Sequence, residues 1–304
     1  MNVINQIITD RYALYNGDCC EVVKSIPDET IGYTLFSPPF SSLFTYSNSP
    51  RDLGNSRSDE EFYEHFRFLV KDLFRITMKG RIVSIHCMQI PAMKERDGFI
   101  GIKDFRGDLI RLFQSEGFIF HSEVLIWKDP LIEATRTKAL GLMHKQLCKD
   151  STKCRQGLPD YIISMRKPGE NPVPVKHKDG ISEYHGDDGI DDGVRSHNIW
   201  RRYASPVWMD IRQTHTLNKD AARGEQDERH ICPLQLDTVG RCQELWSAED
   251  DIMFDPFGGI GTVPYVAVKN GRKAIAVELK ESYFNQMVKN VESVRLPKQT
   301  QLFA

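Results

Sequence analysis

The sequence lacks the marks of membrane, secreted and zinc-binding proteins. Its apolar runs fall well short of the ~20 residues that a membrane-spanning helix needs. Residues 1–18 lack the basic segment followed by an apolar segment that is typical of a signal peptide. Its seven cysteines are odd in number and form no C-x-x-C pair, which disfavours a disulfide framework and a zinc site. We therefore expect a reduced, cytoplasmic protein that uses no metal and binds no membrane.

A large net charge is missing as well. The formal charge of -2 disfavours a protein that coats polyanions over its whole surface, so any polyanion must meet a local patch. Residues 136–178 offer one, with ten Lys/Arg against three Asp/Glu, and residues 179–192 follow with six acids and no Lys or Arg. Either block can be a solvated face, which we favour for the acidic one. Candidate contacts to nucleic-acid phosphates in the basic block are Arg136, Lys138, Lys145, Lys149, Lys153 and Arg155.

Short apolar strands alternate with amphipathic helices through much of the chain. The pattern predicts strands at residues 31–36 and 81–87, and a helix from residue 59 that ends at Gly80. The alternation fades between about residues 129 and 205 and then returns. Such alternation predicts an α/β domain with a sheet flanked by helices. A chain of 304 residues can build one large domain of this kind.

A glycine-rich turn follows one of the predicted strands in "FDPFGGIGT", residues 254–262. Gly258, Gly259 and Gly261 cluster where backbone must approach a ligand closely, because a side chain would occupy the ligand's space. Glu278 comes 17 positions after Gly261, near the end of the next predicted strand, where a carboxylate can accept hydrogen bonds from ribose hydroxyls. The spacing matches neither a dinucleotide fingerprint nor a P-loop. It favours a nucleoside cofactor over a purely structural turn.

A second turn, Ser37-Pro38-Pro39-Phe40, follows the strand predicted at residues 31–36. Two adjacent prolines cannot donate hydrogen bonds to a sheet, so the strand must end there. A hydroxyl precedes the prolines and an aromatic ring follows them. The tetrad is either a stiff surface turn or one wall of a pocket for a flat, polar molecule.

The two turns, in this order, resemble the motifs of the β-class amino-methyltransferases of DNA, which use S-adenosylmethionine. Ser-Pro-Pro-Phe resembles the catalytic motif, in which Ser, Asp or Asn precedes Pro-Pro and an aromatic residue. The glycine turn resembles the cofactor motif Asp-Pro-Phe-x-Gly-x-Gly-Thr. The matching positions are Asp255, Phe257, Gly259, Gly261 and Thr262. The resemblance implies that S-adenosyl-L-methionine is the cofactor.

Two further segments carry the resemblance. Asp18 lies in the lead-in to the catalytic motif, where the family places an acid near the adenine of the cofactor. His230 and Pro233 match the His-Pro-x-Gln-x-Pro pattern that precedes the cofactor turn, although Ile231 stands where the family has its first proline. The resemblance therefore adds Asp18 and Pro233 to the expected cofactor site.

The resemblance also implies the architecture. We expect a Rossmann-like α/β methyltransferase fold with a mixed, mostly parallel sheet, circularly permuted, and a smaller inserted region for target recognition. The expected division of the chain is a catalytic half over 1–128, a target-recognition insertion over 129–205 and a cofactor-binding half over 206–304.

Amino methylation explains the residue types in the tetrad. The Ser37 hydroxyl and the Pro38 carbonyl would accept hydrogen bonds from the target amine, Pro39 would help to fix the backbone, and Phe40 would stack on a flipped base. In the resembled family, Ser-Pro-Pro-aromatic is commoner in cytosine-N4 enzymes and Asp-Pro-Pro-aromatic in adenine-N6 enzymes. Residues 51–55 also resemble a segment of cytosine-N4 enzymes. No Pro-Cys dipeptide is present, which disfavours methylation of carbon-5.

We therefore predict a site-specific DNA methyltransferase that acts on cytosine-N4 in double-stranded DNA. A cognate restriction endonuclease is a further candidate partner. The alternatives are an enzyme that acts on adenine-N6 or on RNA, and a DNA-binding protein with an inactive methyltransferase fold. His86, at the end of a predicted strand, either borders the pocket or is a core histidine, and we favour the core histidine.

Overall fold

One nine-stranded sheet organises the computed structural model, which describes residues 3–39, 56, 58–92, 94–177, 194–218 and 233–294. Its strands are β1 (Val3–Ile8), β2 (Tyr12–Gly17), β3 (Ile31–Phe36), β4 (Thr77–Met88), β7 (Ile119–Ile126), β8 (Asp160–Arg166), β9 (Val207–Trp208), β10 (Ile252–Asp255) and β11 (Lys273–Glu278). A separate small hairpin consists of β5 (Ile90–Ala92) and β6 (Gly101–Lys103).

The strand order across the sheet is β1-β2-β11-β10-β3-β4-β8-β7-β9. The five strands from β2 to β4 in this order are parallel to one another, whereas β1 and β8 run antiparallel to their neighbours. Strands from the C-terminal part of the chain thus lie between strands from the N-terminal part. The predicted mixed, mostly parallel and permuted sheet is confirmed.

Helices cover both faces of the sheet. They are α1 (Cys19–Val23), α2 (Asp59–Ile76), α3 (Lys94–Asp97), α4 (Phe105–Ser115), α5 (Pro130–Thr137), α6 (His144–Leu147), α7 (Val194–Tyr203), α8 (Leu236–Trp246), α9 (Thr262–Lys269) and α10 (Glu281–Glu292). The described parts of the chain contain no helix that is both long and apolar enough to cross a membrane.

Helix α2 shows where local pattern and tertiary pairing differ. The Ser58 side chain accepts a hydrogen bond from the backbone N–H of Glu61 and begins the helix, as a capping serine does. The helix ends at Ile76 and not at the predicted Gly80, because Thr77 is already extended and begins β4. Because residues 77–80 belong to a strand of the sheet, the helix ends about one turn earlier than predicted.

Two apolar cores lie on opposite faces of the sheet. One core joins α1, α2 and α4 to the sheet through side chains such as Phe62, Phe66 and Phe113. The other joins α8, α9 and α10 through side chains such as Val239 and Phe284. All six residues of β3 are buried, as expected for a parallel strand that is covered on both faces.

The segment predicted as a recognition insertion, 129–205, does not stand apart from the sheet. Its strand β8 lies between β4 and β7 within the sheet. Before β8, the Glu133 carboxylate accepts hydrogen bonds from Arg155 at 3.2 Å and from the Leu158 backbone at 3.0 Å. Residues 130–158 are thereby tied into a small substructure, and a recognition role for it stays a prediction.

Candidate active site

The candidate site residues gather at one edge of the sheet. Because β2, β11, β10, β3 and β4 are parallel, their carboxyl ends open at the same edge, where α/β proteins bind ligands. The residues that lie at or just beyond these ends are Asp18, Glu278, Asp255, Ser37 and His86. The fold thus brings together groups that lie far apart in the sequence.

The glycine turn after β10 is fastened to β11. Gly258 donates its backbone N–H to the Val277 carbonyl at 2.8 Å, and Gly259 donates to Glu278 Oε2 at 2.8 Å. The backbone N–H of Lys280 donates to the other carboxylate oxygen of Glu278 at 2.7 Å. A carboxylate oxygen can accept more than one hydrogen bond, so Glu278 can both position the turn and accept from a ribose hydroxyl.

The glycines of the turn have different roles. Gly259 has a φ of +52°, and a Cβ built there meets nothing within 4 Å. At Gly261, with a φ of +90°, a Cβ would lie 2.7 Å from Cγ of Met287 in α10. A side chain at Gly261 would therefore strike α10, and the cofactor role of Gly261 stays a prediction. The open space lies at Gly259, and Thr262 is buried at the start of α9.

Asp255 is a buried carboxyl at the end of β10. Burial and the negative charge of Glu278 raise its pKa, and the hydrogen bond from the Phe257 N–H lowers it; together they bring the pKa to about 8. A cationic ligand would offset the negative charge of Asp255 and Glu278. S-adenosylmethionine carries two cationic groups, a sulfonium and an ammonium, and the open space at Gly259 leaves room for a ligand beside the two acids. The residues present therefore fit this cofactor.

Asn16 and Asp18 lie at the carboxyl end of β2, at the same edge, and Asn16 connects β2 with β11. The Asp18 side chain accepts from the Cys20 backbone at 2.9 Å and so caps α1. Asn16 pairs with Glu278 in the sheet, and its side chain donates to the carbonyls of Glu278 at 2.8 Å and Leu279 at 3.0 Å. Asn16 was missed by sequence reasoning because asparagine in a strand carries no distinctive spacing.

Pro233 lies just before α8, which packs against α9 and β3. Of the other predicted residues in this region, His230 and Ile231 lie outside the described residues. Asp18, Pro233 and Thr262 keep their cofactor roles as predictions.

The proline turn lies next to the glycine turn. The strand β3 pairs with β10 and stops at Phe36, as two prolines require, and Ser37, Pro38 and Pro39 follow. The rings of Phe36 and Phe257 are 5.7 Å apart and join the two turns. Phe40 and residues 51–55 lie outside the described part of the chain.

Ser37 is followed by a row of three polar residues, of which sequence reasoning considered His86 but missed Asp160 and Lys128. The Ser37 Oγ lies 3.3 Å from His86 Nδ1 and 3.2 Å from the His86 carbonyl. His86 Nε2 lies 3.4 Å from Asp160 Oδ2, and Lys128 Nζ lies 2.6 Å from Asp160 Oδ1. His86 is buried as interpreted, but it contacts the predicted catalytic serine. The apolar neighbours of His86 in the sequence correctly predicted that it is buried, but they gave no sign of its contact with Ser37.

The predicted phosphate contacts extend from the same edge. The helix α5 begins shortly after the carboxyl end of β7 and carries Arg136. Lys138, Lys145 and Lys149 are exposed, whereas Lys153 lies 3.5 Å from Asp150. Arg155 pairs with the buried Glu133, so it holds residues 130–158 together.

We predict that Gly259→Ala lowers the affinity for S-adenosylmethionine about 10-fold or more, because the methyl group enters the open space beside the turn. Gly98→Ala is the matched control, since Gly98 also has a positive φ and a Cβ there meets nothing within 4 Å. Both variants carry a similar left-handed strain of about 1 kcal/mol. Calorimetry should show weaker binding for Gly259→Ala alone; equal affinities would contradict this placement.

We predict that the cofactor-free protein loses stability between pH 6 and 9 because of Asp255. Its pKa is 3.8 when unperturbed and about 8 in the fold, so the folded state holds an extra proton between these values. The stabilisation that comes from this proton is complete at low pH and is lost as the pH rises through 8. Between pH 6 and 9 the free energy of unfolding should fall by up to ~2–3 kcal/mol. Urea denaturation should show the loss in the wild type and not in Asp255→Asn. Parallel pH curves would contradict it.

Comparisons with known proteins agree with this geometry. A family model for DNA methylases of the N6 and N4 type matches residues 33–289. The orphan methyltransferase M.BamHII of Bacillus amyloliquefaciens is 28% identical over 280 residues, which cover 88% of this chain and 92% of that protein. The type II methyltransferase M.ScaI of Streptomyces caespitosus is 22% identical over 289 residues, which cover 94% and 83%.

Two solved structures share the fold. The Thermus thermophilus protein TTHA0409, solved with S-adenosyl-L-methionine, has a TM-score of 0.64 at 21% identity and covers 94% of this chain and 95% of its own. The cytosine-N4-specific PvuII DNA methyltransferase has a TM-score of 0.58 at 18% identity, with coverage of 98% and 92%. Because the family match spans most of its length, the chain belongs to the S-adenosylmethionine-dependent N6 and N4 DNA methylases.

Proposed function

We propose that this protein transfers a methyl group from S-adenosylmethionine to N4 of cytosine in double-stranded DNA. The observation that carries the proposal is the contact between the two turns, where Phe36 and Phe257 pack 5.7 Å apart. This contact puts the Ser37 hydroxyl beside the turn to which we assign the methyl donor. Transfer between a bound donor and a bound acceptor requires that kind of proximity.

The chemistry sets what the turn after β3 must do. The exocyclic amine of cytosine is a weak nucleophile, because its lone pair is delocalised into the ring. Acceptors on both N–H groups favour a pyramidal nitrogen whose lone pair is available. The Ser37 hydroxyl and the Pro38 carbonyl supply such acceptors, and the prolines hold them in place before the base arrives. The bound cofactor supplies an electrophilic methyl group.

The preference for cytosine rests on Ser37. In the resembled family, serine before Pro-Pro is commoner in cytosine-N4 enzymes, and aspartate is commoner in adenine-N6 enzymes. The PvuII enzyme, which is cytosine-N4-specific, shares the fold, but at 18% identity it carries no argument about the base. An adenine-N6 product is therefore the principal competing outcome of the test.

The proposed partner is double-stranded DNA, with a cognate restriction endonuclease as a second candidate. The exposed lysines at 138, 145 and 149 offer positive charge for the phosphates. Several relatives are type II methyltransferases, whereas M.BamHII is an orphan enzyme. The names of the relatives therefore support both a paired and an unpaired enzyme.

The function is tested by identifying the methylated nucleoside. Unmethylated DNA of high sequence complexity is incubated with the protein and S-adenosylmethionine deuterated in its methyl group. The DNA is then digested to nucleosides, which are identified by mass spectrometry. We expect labelled N4-methylcytidine in its deoxy form. Labelled N6-methyladenine would move the proposal to the other base, and unlabelled DNA would favour an inactive DNA-binding protein. An RNA substrate in a parallel reaction tests the remaining alternative.

We predict that Ser37→Ala slows methyl transfer on the order of 100-fold, because one of the two acceptors is lost. Cofactor affinity should stay within about 2-fold, since β10 separates β3, which Ser37 follows, from β11, which carries Glu278. Ser84→Ala is the matched control, as Ser84 is a buried serine in the same sheet that contacts Ser164 at 3.1 Å. A normal transfer rate in Ser37→Ala, measured with tritiated cofactor, would exclude the assigned role.

We predict that replacing Lys138, Lys145 and Lys149 with Gln weakens DNA binding and lowers its salt dependence. Each lost phosphate contact reduces the slope of log K against log salt by about 0.9. A slope lower by two to three is therefore expected, measured by fluorescence anisotropy. The matched control replaces three exposed lysines near the amino ends of the strands, Lys71, Lys269 and Lys273. Equal slopes for both variants would mean that the DNA phosphates contact another surface of the protein.

A further inference from the structure

His86 occupies an unusual position for a core histidine. It is about nine-tenths buried near the carboxyl end of β4, with Ser37 on one side of its ring and Asp160 on the other. Because β8 is antiparallel to β4, its first residue, Asp160, lies at the same edge. Asp160 also projects to the same face as Ile162, which pairs with His86. The topology therefore places a serine, a histidine and an aspartate in a row.

The charges in this row determine where the imidazole carries its proton. Burial raises the pKa of Asp160, but its contacts with His86 and Lys128 outweigh burial and lower that pKa to about 2. An ionised Asp160 beside Nε2 requires a proton on that nitrogen. Nε2 is buried, lies 3.4 Å from Asp160 Oδ2 and has no hydrogen-bond partner within the described residues. Neutral His86 therefore presents Nδ1 to Ser37 as an acceptor.

The other charged groups near this end of β4 lie on the opposite side of the strand. Arg106 pairs with Glu123 and lies 5.4 Å from the centre of the Tyr161 ring, and Tyr161 is paired with Cys87, whose side chain points to the face opposite to that of His86. The groups that face the imidazole are thus Ser37, Asp160 and, behind Asp160, Lys128.

We propose that His86 is a positioning residue that, oriented by Asp160, keeps Ser37 Oγ available as an acceptor and receives a proton through it. This inference rests on the proposed amino methylation. The Ser37 hydroxyl has two acceptors on His86, Nδ1 at 3.3 Å and the backbone carbonyl at 3.2 Å, and its single proton can be donated to either of them. Donation to Nδ1 opens the path for the proton, and in both cases the oxygen lone pairs are left for the amine of the base.

The proposed step balances without an added reagent. The amine nitrogen forms its bond to the methyl carbon as the bond from that carbon to sulfur breaks, and the sulfur keeps the electron pair. The methylated nitrogen, now positive, gives one proton to Ser37 Oγ. Ser37 passes its own proton to His86 Nδ1. The resulting imidazolium lies against Asp160 and later releases the proton to solvent.

The test compares pH profiles of methyl transfer. Protein in excess over tritiated S-adenosylmethionine is mixed with unmethylated DNA of high sequence complexity between pH 5.5 and 9. The wild-type rate should fall as the pH is lowered, because protonated His86 cannot accept a proton. His86→Gln should be slower by roughly 100-fold at pH 8 and should lose this decline, with unchanged cofactor affinity. Asp160→Asn should also slow transfer.

The matched control is His121→Gln. His121 is a histidine on the neighbouring part of the sheet that also contacts a serine hydroxyl, Ser122 at 2.9 Å, but lies near the amino end of β7. It should keep the wild-type profile. If His86→Gln keeps the wild-type rate and profile, or loses rate and cofactor affinity together with an unchanged profile, the inference is wrong and His86 is structural.

A second measurement does not depend on activity. In protein labelled with ¹⁵N-histidine, NMR at pH 8 should find neutral His86 with its proton on Nε2, and Ser37→Ala should shift the Nδ1 resonance. A proton on Nδ1 overturns the inference even if the DNA is methylated. Failure of the wild type to methylate DNA would instead count against the proposed function.

Discussion

The parallel pairing of β3 with β10 is the constraint on which the site depends. It joins a strand from the beginning of the chain to one from its end, with Tyr33 opposite Met253 and Thr34 opposite Phe254. Because the strands are parallel, both of them release their turns at one edge. The Phe36–Phe257 contact then fixes the distance between the turns. Without this pairing, the proline turn and the glycine turn would share no pocket.

The edge is electrostatically divided, and the division matches the proposed reaction. On the β10–β11 side, Asp255 and Glu278 suit a cationic methyl donor. On the β4–β8 side, Asp160 lies between His86 and Lys128. As the methyl group moves, positive charge leaves the first side and reaches the second as a proton. Carboxylates thus lie at both the start and the end of this charge movement, and Ser37 lies between them.

The parts of the structure that depend on local chemistry were predictable from the sequence. The two prolines had to stop β3, and the glycines had to form the turn that Glu278 now fastens to β11. The periodicity of the strands and helices gave the fold class. Gly261 shows the limit of that reasoning, because its small size serves a contact with Met287 that only the folded chain reveals.

The parts that depend on strand order could not be predicted in this way. Periodicity tells which residues are buried but not which strand lies beside them. His86 therefore looked like any core histidine until β8 was found antiparallel beside β4, with Asp160 at its first position. The ion pair of Arg155 with the buried Glu133 likewise joins residues far apart in the sequence, and a phosphate contact at Arg155 stays a prediction.

The most direct test of this account is a crystal structure of the protein with S-adenosylhomocysteine. The account predicts that the ribose hydroxyls contact Glu278, that the ligand passes over Gly259, and that its sulfur faces the Ser37–Pro38 turn. A ligand bound at another edge of the sheet, or with its sulfur turned away from Ser37, would contradict it.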